Sequence, residues 1–195
     1  MSVSVFKKGI RALGIAECFI KGRSKYSILA GVVMRGDGVI DGCAMAKITV
    51  GGLDATDGVL NIFRSLSRTD ISVIMLNGCI IAWYNVIDLI RVHEETKVPL
   101  ICVTYEESEG LEEYFRKYFP QDCEKRIEIY RRNGERVPIV LKTGYRVYVR
   151  FFGMEKWECI HVLNRFTKTG SIPEPLRVAR LVAKAVARDL GADIA

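Results

Sequence analysis

The first part of the chain carries three runs of largely apolar, β-forming residues. They lie at about residues 11–20, 26–34 and 39–50, and the polar segment KGRSK and the turn sequence GDG separate them. None of the runs contains proline, which would remove a hydrogen-bond donor from a strand. The pattern therefore predicts a three-stranded antiparallel meander.

Helical and strand-like patterns alternate after the meander. Apolar residues recur at helical spacing behind Asp54, a residue type favoured at helix starts. Two strands at 71–81 and 99–105 flank a helix at 85–96, and both strands are apolar almost throughout, which is typical of parallel strands covered on both faces. The later predicted elements are a helix at 110–119, a strand at 137–152 and helices at 154–166 and 174–190.

This order predicts an α/β fold with one mixed β-sheet. Three antiparallel strands are followed by parallel β-α-β units, with helices on both faces, an arrangement associated with the ribonuclease H-like fold. Residues 1–195 show no repeat, low-complexity tract or linker, so we expect a single domain. Asn77-Gly78 is a common hairpin dipeptide, but a helical pattern follows it, so we expect a buried fourth strand to end there.

The positions of the cysteines and the hydropathy of the chain argue against a zinc-binding, a disulfide-rich and a membrane-spanning protein. The six cysteines include no Cys-x-x-Cys pair, and the two histidines, His93 and His161, do not complete a usual zinc spacing with them, which excludes the usual zinc sites and a dense disulfide framework. Cys18, Cys79 and Cys102 lie in apolar stretches and are expected in the core. Without a long apolar segment, we expect a cytoplasmic protein that does not cross a membrane.

The net charge of +6 is concentrated in one segment. Residues 125–150 hold eight basic and two acidic residues, which equals the entire excess. Strand alternation places Lys142, Arg146, Tyr148 and Arg150 on one face, and such a face suits contact with nucleic acid. Arg177 on the last helix belongs to a further basic row. A solvated strand and helix face is the alternative interpretation of both sets.

The chain contains no nucleotide-binding glycine loop and no nucleophile elbow, so a catalytic site would have to rest on carboxylates. Phosphodiester hydrolysis without a nucleophilic side chain needs divalent ions, which converging carboxylates hold. The candidate residues are Glu17, Asp54, Asn77 and Glu158, with Glu155 as an alternative to Glu158. Asp54 is also a suitable helix cap, acids also favour helix starts, and Asn77 offers only a neutral oxygen. Glu17 lies in an apolar strand, where a carboxylate needs a partner.

Four stretches resemble an archaeal family catalogued as domain of unknown function 99. They are GVVMRGDGVIDG at 31–42, ITVGGLDATDG at 48–58, VIMLNGCIIAWYNVIDL at 73–89 and IPEPLRVARLVA at 172–183. That family is similar to endonuclease V, a magnesium-dependent, ribonuclease H-like nuclease that cuts nucleic acid near deaminated adenine. The resemblance implies the same fold, contact with nucleic acid, and Mg²⁺ or Mn²⁺ wherever the site is competent.

The chain departs from endonuclease V at its acidic positions. The resemblance places Ala16, beside Glu17, where the nuclease has its first-strand aspartate, and Gly51 where another aspartate stands, leaving Asp54. Asn77-Gly78 replaces Asp-Gly, and Tyr105-Glu106 offers no counterpart for a lysine. These departures imply that the nuclease site is degenerate.

Three functions are compatible with the sequence. The first is a protein that binds DNA or RNA and carries a degenerate nuclease site. The second is an active Mg²⁺- or Mn²⁺-dependent endonuclease on inosine-containing nucleic acid, with Glu17, Asp54 and Glu158 as metal ligands. The third is a protein-interaction module that uses Trp83 and Tyr84. The altered acids and the basic segment favour the first.

Overall fold

The predicted meander forms one side of a seven-stranded mixed sheet. In a computed structural model that describes residues 7, 9–20, 24–108 and 110–189, strand β1 is Arg11–Cys18, β2 is Tyr26–Arg35 and β3 is Ile40–Thr49. β2 pairs antiparallel with both β1 and β3. β1 and β3 therefore run in the same direction.

The fourth strand extends the sheet on the other side of β1. After helix α1 (Ala55–Ser65), β4 (Val73–Asn77) pairs parallel with β1 and ends at Asn77, as expected. The apolar run at 71–81 is therefore not one continuous strand. Gly78 instead turns the chain with a φ of 85°, which glycine adopts at little cost. The following residues form a small hairpin of β5 (Ile80–Ile81) and β6 (Asn85–Val86).

Helix α2 completes the predicted parallel unit but begins later than residue 85. It spans Leu89–Thr96, because Asn85 and Val86 belong to β6 and the carboxylate of Asp88 accepts a hydrogen bond from the Arg91 amide at 3.0 Å as an N-cap. β7 (Leu100–Thr104) then pairs parallel with β4.

The second half of the chain departs from the predicted order at two points. Helix α4 was not predicted, since charged residues dominate it and few of its positions are apolar and buried. The strand predicted at 137–152 is two antiparallel strands joined by a turn at Gly144, whose φ is 86°. The elements are α3 (Glu112–Tyr118), α4 (Cys123–Arg132), β8 (Val137–Val140), β9 (Arg146–Phe152), α5 (Lys156–Phe166) and α6 (Glu174–Asp189).

The strand order β3-β2-β1-β4-β7-β9-β8 confirms the predicted α/β class with a mixed sheet. Helices α1 and α2 bury their apolar residues against one face of the sheet, and α5 and α6 cover the other face. Cys79 and Cys102 are buried as expected, whereas Cys18 is half-buried. In the described part of the chain, no helix has the length and apolar character needed to span a membrane.

One edge of the sheet collects the ends of five strands. β1, β3, β4, β7 and β8 run in the same direction, so their last residues lie along a common border, called here the carboxyl edge. Loops that leave this border carry most of the candidate site residues.

A close backbone approach fixes α6 over the middle of β1. A Cβ atom added at Gly14 would lie 2.4 Å from the backbone carbonyl carbon of Pro175, in the first turn of α6. Only glycine permits this approach, since the obstructing atoms are the backbone carbonyl group and the Cβ atom of Pro175, which cannot rotate away. Helix α6 thus reaches the carboxyl edge in a fixed position.

We expect Gly14→Ala to lower the free energy of unfolding by about 1–3 kcal/mol, because the methyl group forces β1 and α6 apart. Urea unfolding followed by circular dichroism measures the change. Gly9→Ala is the matched control, since a Cβ atom there meets nothing within 4 Å. Equal stability of the two variants would contradict the close-approach argument.

Candidate functional site

The carboxyl edge brings three of the four candidate catalytic residues to one side of the sheet. Glu17 lies near the end of β1, Asp54 follows β3, and Asn77 ends β4. Glu158 lies at the opposite edge, because β9 runs antiparallel to β7, with Phe152 beside Leu100, and α5 begins just after β9. The four residues therefore do not form one cluster.

Hydrogen bonds within the protein occupy the carboxylate of Asp54. Its Oδ2 accepts from the Thr49 amide at 3.0 Å and from the Thr49 hydroxyl at 2.8 Å. Its Oδ1 accepts from Asn85 Nδ2 at 2.7 Å. Asp54 holds the N-cap position of α1 but makes no side-chain cap bond there. Its contacts fasten the end of β3 to β6.

Glu17 is half-buried, and each of its carboxylate oxygens has one hydrogen-bond donor within the protein. The Ser27 hydroxyl donates to its Oε2 at 2.5 Å, and the Ala82 amide lies 3.4 Å from its Oε1. Ala16 beside it is buried in the sheet. Glu17 is thus the candidate carboxylate at this edge that keeps a face toward a cleft.

Asn77 is tied to the end of the neighbouring strand. The Tyr105 hydroxyl donates to Asn77 Oδ1 at 2.9 Å. Burial raises the pKa of Tyr105, so its hydroxyl stays protonated and keeps donating at neutral pH. Tyr105 and Asn77 together form a neutral polar pair where the resemblance to endonuclease V implies charged groups.

Glu155 and Glu158 form a reciprocal cap at the start of α5. The Glu155 amide donates to Glu158 Oε2 at 2.8 Å, and the Glu155 side chain accepts from the Glu158 backbone. Both acids are therefore used in local helix capping, away from the carboxyl edge.

The described residues do not fit a pair of divalent ions. Hard cations require converging oxygen ligands, and two-metal sites hold their ions about 3.5–4 Å apart. No group of three or more histidine, cysteine, aspartate or glutamate side chains with suitable geometry occurs within the described ranges. Asp54 is saturated with donors and Glu158 is remote, so Glu17 has no second carboxylate beside it from this set.

Positive charge dominates the cleft that Glu17 and Asn77 line. This cleft, called here the cationic cleft, has a volume of about 410 Å³, and α6 contributes Arg177, Arg180 and Lys184 to its wall. Arg177 is partly engaged, since its Nη2 donates to the Thr169 carbonyl at 3.2 Å and its Nε lies 3.3 Å from Glu174. The helical spacing brings all three cations to one side, so the cleft suits an anion.

A second recess opens on the other side of Asn77. This strand-end cavity has a volume of about 350 Å³ and lies among the ends of β4 and β7, helix α4 and β9. Its wall includes Cys79, Tyr130, Arg136 and Arg150. A hydrogen bond from Cys102 and the positive charge of Arg150 lower the pKa of Cys79 to about 7, against the effect of burial.

The predicted basic strand face is divided between surface and interior. Lys142 and Arg146 are exposed where the β8–β9 turn reaches the carboxyl edge, and Tyr148 is half-buried beneath the Arg136 guanidinium, 5.3 Å from its ring centroid. Arg150 is only 6% exposed and turns inward. Lys142, Arg146 and Tyr148 are therefore accessible to a ligand on the surface, whereas the Arg150 side chain lines the strand-end cavity.

An unusual turn between β5 and β6 lies beside Glu17. Ala82, Trp83 and Tyr84 have φ values of 43°, 60° and 62°, a left-handed conformation that costs non-glycine residues free energy. The Gly51 amide donates to the Ala82 carbonyl at 2.7 Å, and Arg126 Nη1 donates to the Tyr84 carbonyl at 2.7 Å. Trp83 and Tyr84 are thereby held beside Tyr114 and Tyr118 in an aromatic cluster.

Sequence comparison assigns the chain to a protein family. The family model described as Endonuclease dU matches residues 8–187. The chain belongs to that family. A UPF0215 protein of Pyrobaculum calidifontis is 41% identical over 175 residues, which cover 89% of this chain and 95% of the relative. The predicted membership of an archaeal family similar to endonuclease V is confirmed.

Solved structures show the fold of this Endonuclease dU family member. A protein of unknown function from Archaeoglobus fulgidus superposes with a TM-score of 0.77 at 28% identity, covering 91% of this chain and 98% of that one. Ciona intestinalis endonuclease V, in complex with inosine-containing DNA, gives 0.64 at 13% identity, with 95% and 89% covered. The predicted ribonuclease H-like fold is confirmed.

Asp54→Asn is expected to destabilise this Endonuclease dU family member by about 1–3 kcal/mol, because an amide NH₂ would face donors that now meet a carboxylate. Chemical unfolding measures the loss. Asp57→Asn is the control: Asp57 is exposed and pairs with Arg91 on the surface, so it should change stability by less than about 0.5 kcal/mol. Wild-type stability of Asp54→Asn would show that its bonds contribute little.

Proposed function

We propose that this protein binds nucleic acid along its carboxyl edge and carries there a degenerate form of a metal-dependent nuclease site. The observation that carries the proposal is the cationic cleft, in which Arg177, Arg180 and Lys184 face Glu17 and Asn77. In a site for divalent cations, three positive side chains would repel the ions. The same side chains suit the phosphates of a nucleic-acid backbone.

The exposed cations of the β8–β9 turn extend this surface. Lys142 and Arg146 lie at the same edge, and the Lys142 amide bonds to Asn164 near the end of α5, which orients the turn. Phosphate contacts from two directions would position a strand across the edge without reading its sequence. The aromatic cluster around Tyr84 adds faces on which unpaired bases can stack.

A second candidate function is endonuclease activity on DNA containing deoxyuridine. The match to a family described as Endonuclease dU over residues 8–187 favours it. The Ciona intestinalis endonuclease V structure holds inosine-containing DNA, which favours a related substrate. The two candidates share a binding surface and differ in whether the bound strand is cut.

Arg180→Gln combined with Lys184→Gln is expected to weaken binding to a single-stranded oligonucleotide about tenfold or more at low salt. Fluorescence anisotropy across about 50–200 mM salt measures affinity and its salt slope, which should become shallower by about 1.4 if two phosphate contacts disappear. Arg177 is left intact because of its contacts within the protein.

The matched control replaces two cations that lie at the opposite edge, Arg64→Gln with Lys156→Gln. It removes the same charge and should leave the slope nearly unchanged. If wild-type protein binds no oligonucleotide at about 50 mM salt, or if both double variants bind alike, the cationic cleft is not the binding surface.

We expect DNA that contains deoxyuridine or inosine to remain intact after incubation with this protein in Mg²⁺ or Mn²⁺. The test uses both single- and double-stranded DNA. Gel electrophoresis of end-labelled strands detects any cut, and a known nuclease preparation on the same strands controls for their quality. Cleavage confined to the modified position would support the second candidate in place of the degenerate site.

A further inference from the structure

A buried cation lies in the wall of the strand-end cavity without a carboxylate partner. Arg150 is 6% exposed, and its Nε donates to the Gly134 carbonyl at 2.7 Å. None of the ion pairs formed by the residues that the structure describes includes it. Because a buried charge without a counter-ion is costly, an anion beside this guanidinium group would stabilise the protein.

The group that meets the Arg150 guanidinium is the thiol of Cys79. Arg150 Nη1 lies 3.5 Å from the Cys79 sulfur. That sulfur also accepts a hydrogen bond from the Cys102 thiol. The hydrogen bond from Cys102 and the positive charge of Arg150 lower the pKa of Cys79, against the effect of burial. The deprotonated form of Cys79 therefore supplies the counter-ion that Arg150 otherwise lacks.

Backbone hydrogen bonds hold Cys79 beside Cys102. Cys102 lies within β7, and Cys79 follows the end of β4, the strand that pairs with β7. The Gly78 amide donates to the Val103 carbonyl at 2.9 Å, and the Ile87 amide donates to the Cys79 carbonyl at 2.8 Å. The two central strands thus place two free thiols in contact with each other.

Cys79 is within reach of small molecules although it is buried. Its exposed fraction is only 3%, but it lines the strand-end cavity, which has a volume of about 350 Å³. A water molecule occupies about 30 Å³ in the liquid, so a molecule as small as hydrogen peroxide fits this space. Cys102 is 1% exposed. A small oxidant in the cavity therefore meets Cys79 first.

We propose that Cys79 and Cys102 form a redox-active dithiol, which a hydroperoxide entering the strand-end cavity converts to a disulfide. The inference assigns a modification site and does not depend on the proposed binding of nucleic acid. A metal site is the other common use of neighbouring cysteines. The part of the chain that the structure describes contains no group of three or more histidine, cysteine, aspartate or glutamate residues that could hold a metal ion.

The conversion takes two steps. In the first, the Cys79 thiolate attacks one oxygen of the hydroperoxide, a sulfur–oxygen bond forms and the oxygen–oxygen bond breaks. The sulfur is oxidised to a sulfenic acid, and the other oxygen leaves with a proton from water as an alcohol or as water. In the second, the Cys102 sulfur attacks the Cys79 sulfur and the sulfur–oxygen bond breaks. The hydroxide that leaves takes the Cys102 proton and becomes water.

Other cysteines of the chain lack this setting. Burial raises the pKa of Cys159 to about 12, and the pKa of Cys43 is also raised. Both groups stay protonated at neutral pH, and the thiolate is the form that reacts. Cys43 is nevertheless exposed. If access alone decided reactivity, Cys43 would be oxidised before Cys79, so the two residues give opposite expectations.

The test exposes reduced, folded protein to hydrogen peroxide and stops the reaction with an alkylating agent in denaturant. Mass spectrometry then reads the state of each cysteine, because the tryptic peptides 69–91 and 98–116 carry Cys79 and Cys102 separately. We expect Cys79 to be oxidised about fivefold or more faster than Cys43 at neutral pH, since its larger thiolate fraction outweighs its lower intrinsic nucleophilicity. The two peptides should become joined, and dithiothreitol should separate them.

Variants assign the role of each partner. Cys102→Ser should leave a sulfenic acid on Cys79, which a diketone probe traps. Arg150→Met should slow the oxidation of Cys79 about threefold or more, because the thiolate loses its cation, whereas Arg150→Lys keeps the charge and should keep most of the rate. Cys159→Ser, which alters another buried cysteine, is the matched control and should change neither the rate nor the disulfide.

The wild-type comparison requires no substitution, so it decides the question even where Arg150→Met fails to fold. In urea, Cys79 and Cys43 should react alike, and a preference that persists there would overturn the assignment to the folded cavity. Oxidation of Cys79 no faster than that of Cys43 in folded protein overturns the inference. Sulfinic acid on Cys79 without a bond to Cys102 overturns the dithiol. Failure to bind an oligonucleotide would overturn the proposed function alone.

Discussion

The carboxyl edge depends on one buried guanidinium group. Arg126 is 1% exposed and donates to the carbonyls of Gly51, Gly52 and Tyr84, while its Nε and Nη2 donate to the carboxylate of Asp122, the residue that precedes α4. These bonds join the loop after β3, the β5–β6 hairpin and α4 through a single side chain. A five-donor planar group is suited to this task, and lysine could not replace its geometry. Ile80 and Tyr130, which line the strand-end cavity, belong to two of the elements that this side chain joins.

The chain shares its fold with endonuclease V structures, and the polar residues at its carboxyl edge are engaged in contacts within the protein. The Asp54 carboxylate accepts hydrogen bonds from β3 and β6 and so joins these strands, and Asn77 accepts one from the Tyr105 hydroxyl. Cations of α6 line the same cleft as the remaining carboxylate, that of Glu17. Such a surface attracts phosphates more readily than divalent ions. Under the proposed function, the carboxyl edge binds a nucleic-acid strand, while Asp54 and Asn77 make hydrogen bonds within the protein.

Hydrophobic periodicity alone predicted the sheet, because the central strands are apolar on both faces and each helix that covers the sheet carries one apolar stripe. It failed where tertiary contacts decide the structure. Helix α4 is too charged to show a core face, and its buried Arg126 is a polar residue in a position that pattern assigns to solvent. Without α4 the strand-end cavity could not be foreseen. Arg150 likewise shared the surface alternation of its strand, and only the packing of Tyr130 and Gly134 around it reveals its burial.

The left-handed turn at Ala82, Trp83 and Tyr84 lowers the stability of the protein and positions the aromatic cluster. Each non-glycine residue in this conformation costs about 1 kcal/mol or more, and the bonds from Gly51 and Arg126 offset part of that cost. A chain optimised for stability alone would carry glycine or asparagine at such positions. Substitutions that relaxed the turn would raise the thermal stability of the protein and remove the aromatic surface. This hairpin is therefore a poor target for stabilising substitutions.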